Sequence, residues 1–525
     1  MIKSKSIILS ILFSLFFIPS SYGQRVNIDN FKPLADSLQQ YFQSKAYVGG
    51  KIRVDSIFAY SKDIVIYLNN SLAEYPFRDS DLNYIYKVVN QTIPNKYINH
   101  KVRVVTNGSA IEELVPPIYS SNWAPTSLKS KNSRRNNKIE STNIVKNNSK
   151  PYTIDKGLNN RHLAIWQSHG YYYEQKLLRW EWQRARIFQT VEDLYTQSYV
   201  LPFLVPMLEN AGATVFLPRE RDFQKKEVIC DNDSFNGGYA EFQGDKKWKK
   251  SDKEGFANPK EFYLSGENPF KMGSARVVES IKRGEESRAT WSPNIKEAGN
   301  YAVYISYHSF PNSTENAQYR VIHSGGESTF TVNQNMGGGT WIYLGTFHFS
   351  ADNNRKYRVE LSNLTGRKNE IVSADGVKFG GGMGNIAREP SQEGSELNRK
   401  SSSTQPTQKI TIPFKTTPII SNYPRFTEGA RYWLQWAGFN DTIYTPNSNA
   451  NDYNDDYMSR GKWVNALIGG SSKNPTKNGY NIPIDLAFAF HSDAGTTLND
   501  SIIGTLGIYT RYSNDSDIFP SGSLR

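Results

Sequence analysis

Two short apolar runs, each ending in a histidine, constrain this chain more than any other feature. The first is Ile165-Trp-Gln-Ser-His-Gly170; the second is Ile484-Asp-Leu-Ala-Phe-Ala-Phe-His-Ser-Asp-Ala-Gly495, with the two histidines at 169 and 491. Runs of this kind make the buried strands of parallel sheets. In an open α/β sheet, ligands gather beyond the carboxyl ends of the strands, where both histidines would stand.

The pattern around them predicts a split domain. After the first strand, Thr190 to Asn210 has helical spacing, with Thr190 able to cap it and Pro202 and Pro206 set to kink or split it. Gly212 ends that helix and Ala213-Thr-Val-Phe-Leu217 is the next strand. Residues 231–385 then switch to short alternating runs with Gly and Asn turns, such as Ala302-Val-Tyr-Ile-Ser306 and Lys356-Tyr-Arg-Val-Glu-Leu361. That is the pattern of an all-β sandwich. A helix near Tyr423 to Phe439 and the second histidine strand resume the β-α-β order. The expected fold is therefore an α/β domain with a mostly parallel sheet (161–229 and 409–525), interrupted by a sandwich (231–385) and a linker (386–408). Before it stands a small α/β domain at 26–117, with helices over Phe31–Phe42 and Asp79–Val89 and strands at Asp63–Leu68 and Lys101–Thr106, then a polar linker at 118–155.

Lys3 and Lys5 precede an apolar core at Ile7–Ile18 and a small-residue exit, which predicts a signal peptide over 1–23 and a secreted or periplasmic protein. The run is too short for a membrane span, and no stable anchor is expected. The single cysteine, Cys230, excludes an internal disulfide and a thiolate metal cluster. The net charge of +12 favours an anionic polymer, and an ordinary solubilising surface accounts for it equally well.

His169, Glu192 and His491 are the candidate metal ligands. Two histidines and a glutamate form a recurrent catalytic zinc set that leaves a fourth position for water or substrate. Each has a plainer reading: a strand-end histidine is usually a satisfied structural residue, and a glutamate opening a helix favours the helix dipole. Tyr171, Tyr172, Tyr173, Trp180 and Trp182 suit a stacking rim, with core packing expected for most of them.

The order of these motifs resembles the zinc-dependent N-acetylmuramoyl-L-alanine amidases: a strand ending in His169-Gly, a glutamate opening a helix, Gly212, a strand, Arg219 and Asp222, then Ser459-Arg460-Gly-Lys-Trp-Val-Asn465, and the strand from Asp485 to His491. Gly504-Thr-Leu-Gly-Ile-Tyr509 is similar to the strand that follows. The resemblance implies zinc on His169, Glu192 and His491, substrate-binding or supporting roles for Arg219, Arg460 and Asn465, and cleavage of the bond between the lactyl group of N-acetylmuramic acid and L-alanine in peptidoglycan. Asp493 is placed either to orient a ligand histidine or to stabilise a turn. The family's general-base glutamate has no counterpart between His491 and Arg525, so either it lies beyond Arg525 in a longer parent chain, the favoured expectation, or the general base is missing.

Gly337-Gly-Gly-Thr-Trp341, Val359-Glu-Leu-Ser-Asn363 and Ala374-Asp-Gly-Val-Lys-Phe-Gly-Gly-Gly382 resemble the golvesin/xanthan-lyase carbohydrate-binding-like domain. This implies an attached glycan-binding module and no lyase chemistry of its own. The expected partner is peptidoglycan or another anionic cell-wall glycan, not nucleic acid. Two other readings stay open: a non-catalytic cell-wall or polysaccharide-binding protein on an amidase scaffold, and a xanthan-type polysaccharide lyase.

Overall fold

The computed structural model describes residues 23–45, 50–115, 143–389 and 417–492, apart from residues 73, 74, 76, 107, 153, 155, 156, 185, 188, 189, 235–237 and 353. Residues 1–22 of the expected signal peptide, most of both linkers, Asp493 and the strand expected at 504–509 lie outside the described residues. The chain divides into two compact units, 1–138 with 495–525, and 139–494.

In the first unit, Phe31, Leu34, Leu38 and Phe42 recur at helical spacing and are all buried. They drive helix α1 (Lys32–Gln43), which carries Pro33 in its first turn. Strands β1 (Val54–Ala59) and β2 (Asp63–Leu68) pair antiparallel. Helix α2 (Asp79–Thr92) then carries the chain to β3 (Lys101–Thr106), parallel to β2. Ile64, Ile66, Val104, Ile85 and Val89 join the α1 residues in one core.

The second unit opens with β4 (His162–Gln167), the hairpin β5 (Tyr171–Glu174) and β6 (Arg179–Trp182), helices α3 (Glu192–Tyr199) and α4 (Val205–Asn210), and β7 (Thr214–Phe216). After the sandwich come α5 (Ala430–Trp436), α6 (Asp452–Ile468) and β8 (Ile484–Phe490). The sheet order is β7-β4-β8, all parallel. Leu163 and Ile165 face one way, onto Val200, Leu201 and Val205. Ala164 belongs to the larger core that holds Leu434, Trp463 and Leu467. Two-residue alternation thus gives β4 a helical layer on each side.

Prolines break the long helix expected over Thr190–Asn210. Neither Pro202 nor Pro206 can donate to the ladder; residues 200–204 form a π-helical turn and α4 restarts with Pro206 in its first turn. Thr190 is not the cap: its backbone pairs with Ile187, and Val191 precedes the helix without a side-chain acceptor. The helix expected over Tyr423–Phe439 shortens to α5.

The inserted part is antiparallel. One sheet orders Val228–Cys230, Val377–Phe379, Gly299–Ile305 and Ile342–Phe349; a six-stranded sheet orders Tyr239–Phe242, Arg288–Trp291, Arg358–Ser362, Ala317–His323, Gly326–Val332 and Val145–Asn147. Trp291, Tyr319, Val359 and Phe330 from one sheet and Val303, Ile305, Phe349 and Phe379 from the other fill a shared core. A third sheet joins Lys249–Gly255, Gly273–Glu279 and Ile371–Ala374. Two boundaries differ from expectation. Residues 145–147, read as linker, form an edge strand on Phe330–Val332, and the sandwich begins by Val228. The described residues are thus rich in β-structure with a sandwich-like part; in place of the expected larger α/β domain they hold a three-stranded parallel sheet with its helices.

Candidate metal centre

The register of β4 and β8 brings the two histidines together. Gln167 pairs with Phe490, and the Ser168 N–H donates to the Phe490 carbonyl at 2.8 Å. Ser168 then adopts φ +50°, a left-handed conformation uncommon for a non-glycine residue, which turns the chain off the sheet. The rings of His169 and His491 lie 4.6 Å apart between centroids. Gly170 follows because the backbone there presses on Gly429: a Cβ would meet the Gly429 nitrogen at 2.5 Å.

Glu192, the first residue of α3, supplies the third group from below. One carboxylate oxygen, Oε1, accepts from the Ser168 hydroxyl at 2.7 Å and from the Ser492 N–H at 3.1 Å. It lies 3.8 Å from His491 Nδ1. The other, Oε2, is buried and accepts no hydrogen bond, yet lies 3.4 Å from His169 Nδ1. One ligand atom from each of His169, Glu192 and His491 falls within 4.8 Å of the others. Neighbouring ligands of a tetrahedral zinc with metal–ligand distances of about 2.0–2.1 Å stand roughly 3.3 Å apart. The donor set and its spacing therefore fit such an ion, although Glu192 Oε2 already lies 3.4 Å from the Arg184 guanidinium. His491 is the exposed member of the three, so the group opens to solvent on its side.

The surrounding electrostatics act on Glu192 and His169. Burial of Glu192 would raise its carboxyl, but the neighbouring His169 and His491 rings and the Ser168 hydroxyl outweigh that and hold it below the usual carboxylate range. Burial lowers His169, against the pull of Glu192 and with help from the Arg460 and Arg184 charges, which favours neutral imidazole.

The other candidates separate. Arg219 is buried and spends its guanidinium on main-chain carbonyls: Gln167 at 2.7 Å, Glu428 at 2.8 Å, Phe426 at 3.0 Å, Thr427 at 3.3 Å, and His169. It clamps the end of β4. Arg460, on α6, donates to the Ser168 carbonyl at 3.2 Å and pairs with Asp456 at 3.5 Å. Asn465 is exposed; five residues along a helix turn it about 140° from Arg460, away from the cluster. Asp485 binds Arg161, Lys473 and the His162 N–H, below the strand end. Asp493 lies outside the described residues.

Three contributors were not singled out from sequence. The Ser168 hydroxyl bridges Glu192 and His169 Nδ1, the latter at 2.9 Å. Asp193 is buried 3.7 Å from His169 Nδ1, and burial pushes its carboxyl up to about 7 despite the nearby Arg219 charge. Arg184, just past β6, contacts His169 Nε2 at 3.1 Å and Glu192 at 3.4 Å. The one available signal was the doublet Glu192-Asp193 at a helix start, which reads as dipole compensation.

Comparison with known proteins bears on the inserted part. Residues 261–381 match the Golvesin C-terminal domain family. The xanthan lyase of Bacillus sp. (strain GL1) is 34% identical over 90 residues, which is 17% of this chain and 10% of that protein. The chain thus spans about a tenth of the length of this curated relative. A Paenibacillus xanthan lyase structure is 26% identical, covering 30% of this chain and 13% of that one, with a TM-score of 0.24. A carbohydrate-binding module from Cellvibrio mixtus lichenase 5A, solved with cellotriose, is 12% identical and covers 30% of this chain and 98% of its own, with a TM-score of 0.18.

Proposed function

We propose that this chain is an exported polysaccharide-binding protein that engages a cell-wall glycan through its inserted sandwich. The observation that carries this reading is the match of residues 261–381 to the Golvesin C-terminal domain, alongside 34% identity to a xanthan lyase over 90 residues. The net charge of +12 suits an anionic polymer. Co-sedimentation of the purified chain with insoluble peptidoglycan and with xanthan tests it. Depletion from the supernatant that weakens with salt is expected; a chain that stays in solution with both would refute the reading.

A second reading has its own observation, the convergence of His169, Glu192 and His491. In this reading the bound glycan is peptidoglycan and its MurNAc–L-alanine amide is cut. A zinc ion held by these three residues would polarise the amide carbonyl and lower the pKa of water toward about 7. Ser168 fixes the Glu192 carboxylate, while Arg219 and Arg460 fix the carbonyls at the end of β4, so the ligands stand where the backbone holds them. Zinc content of the purified protein and of a His169→Ala, His491→Ala double variant tests the ligands. Digestion of peptidoglycan that frees stem peptides and leaves glycan strands intact tests the reaction. Unsaturated sugars released from xanthan would instead mark a lyase.

A further inference from the structure

The hairpin β5–β6 starts and ends at the metal cluster. It leaves from Gly170, the residue after His169, and returns at Arg184, whose guanidinium touches His169 and Glu192. Tyr171 and Trp182 face each other in the register at this near end. Tyr171 is two residues from His169, so their Cα atoms lie within about 7 Å.

The five aromatic residues of this hairpin divide by burial. Tyr172, Tyr173 and Trp180 belong to the core. Tyr171 and Trp182 are only half-buried, and a third ring joins them: Tyr423, 41% exposed, from the segment that follows the sandwich. Tyr171 lies 4.9 Å from Trp182 and 4.6 Å from Tyr423, and Trp182 lies 6.0 Å from Tyr423, between ring centroids. Their planes meet at 57°, 45° and 79°, so the three rings present an angled aromatic corner, backed by Trp180, on which Tyr171 stacks at 6.0 Å and 18°. The Tyr171 hydroxyl donates to the Trp180 carbonyl at 3.0 Å, and Gln183 donates to Asp456 on α6 at 2.9 Å. Those bonds hold the corner in place without a ligand.

We infer that Tyr171, Trp182 and Tyr423 form a sugar-binding cup beside the His169–Glu192–His491 cluster, a glycan contact outside residues 261–381. A pyranose whose substituents are equatorial presents a face of C–H bonds to such rings, while its hydroxyls stay in water. A protein partner is a poorer fit: a stable interface covers about 800 Å² on each side, and three partly buried rings, each worth at most about 150–250 Å², offer much less. The occupant is a glucose-type pyranose, whose equatorial substituents leave such a face of C–H bonds. The inference rests on the polysaccharide-binding reading and adds to it a second place of contact, at the cluster itself.

Titration calorimetry of the whole chain with cellotetraose and with the N-acetylglucosamine tetramer tests it, the two arms distinguishing plain from N-acetylated sugar. Trp182→Ala and Tyr423→Ala should each weaken binding of the preferred tetramer about tenfold, the scale of one lost stacking contact. Tyr195→Ala, on the solvent side of α3, should leave it unchanged. Melting curves show whether Trp182→Ala disturbs the hairpin; Tyr423→Ala, at an exposed ring, carries the test if it does. Both variants binding as the wild type does would overturn the cup and leave glycan binding to the sandwich. A wild-type chain that binds xanthan but neither tetramer also overturns the cup alone. One that binds no polysaccharide overturns both readings.

Discussion

The Ser168 hydroxyl donates to Glu192 Oε1 at 2.7 Å across 24 residues of sequence. A serine held at φ +50° thereby fixes the carboxylate on which both histidines converge. In the zinc reading, Ser168→Ala should weaken zinc about 10–100-fold while leaving all three ligands in place. Competition with a chromogenic chelator measures this. Zinc should also raise the melting temperature of the wild type and not that of the His169→Ala, His491→Ala variant, because only a folded state that binds the ion is stabilised by it.

Arg219 carries five main-chain carbonyls of two chain segments. Arg219→Met should cost about 3–5 kcal/mol, since buried acceptors lose a charged partner. Arg219→Lys should recover little of that, because an ammonium offers three donors and no planar fork. Urea midpoints of the two variants decide it. Full stability in Arg219→Met would show that the clamp is dispensable.

Lys378 and Glu220 form a fully buried ion pair at 2.7 Å, with the Tyr304 hydroxyl also on Glu220 and the Lys378 ammonium 4.0 Å from the Tyr304 ring centroid. The pair joins the segment after β7 to the strands of the sandwich. Removing one partner strands the other, so Lys378→Met should cost about 3–5 kcal/mol, and the double variant with Glu220→Gln should cost less than the two singles together. Additive losses in denaturation would show that the pair is not coupled.

His162, at the start of β4, is buried and accepts from the Ile144 N–H at 3.3 Å. Burial lowers its pKa from 6.5 to about 4. A depressed folded pKa means that the unfolded chain binds more protons between those values. Stability from this group is therefore complete above pH 6.5 and falls as the pH drops toward 4, by roughly 3 kcal/mol in all. His162→Gln should flatten that part of the melting profile. A profile unchanged by the substitution would move the acid sensitivity elsewhere.

The cluster was legible because its members sit where strands and helices end. Apolar runs fix where β4 and β8 stop, parallel register makes those ends neighbours, and Glu192 opens the helix between them. Asn465 stands apart from Arg460 because the motif Arg460…Asn465 takes no account of helical periodicity. The strand at 145–147 was hidden for a different reason. Val-Lys-Asn has no pattern of its own and is made a strand by residues 330–332, far along the chain. Arg184 was equally invisible, since only the closed hairpin returns it to His169.

Order of synthesis gives the split sheet a further meaning. β4 and β7 can pair once Phe216 has been made, but β8 begins 268 residues later, at Ile484. At about 5–20 residues per second, that gap lasts roughly 13–54 s. Throughout it His169 and Glu192 exist without His491, so the three residues can meet only after the strands of the sandwich have been made.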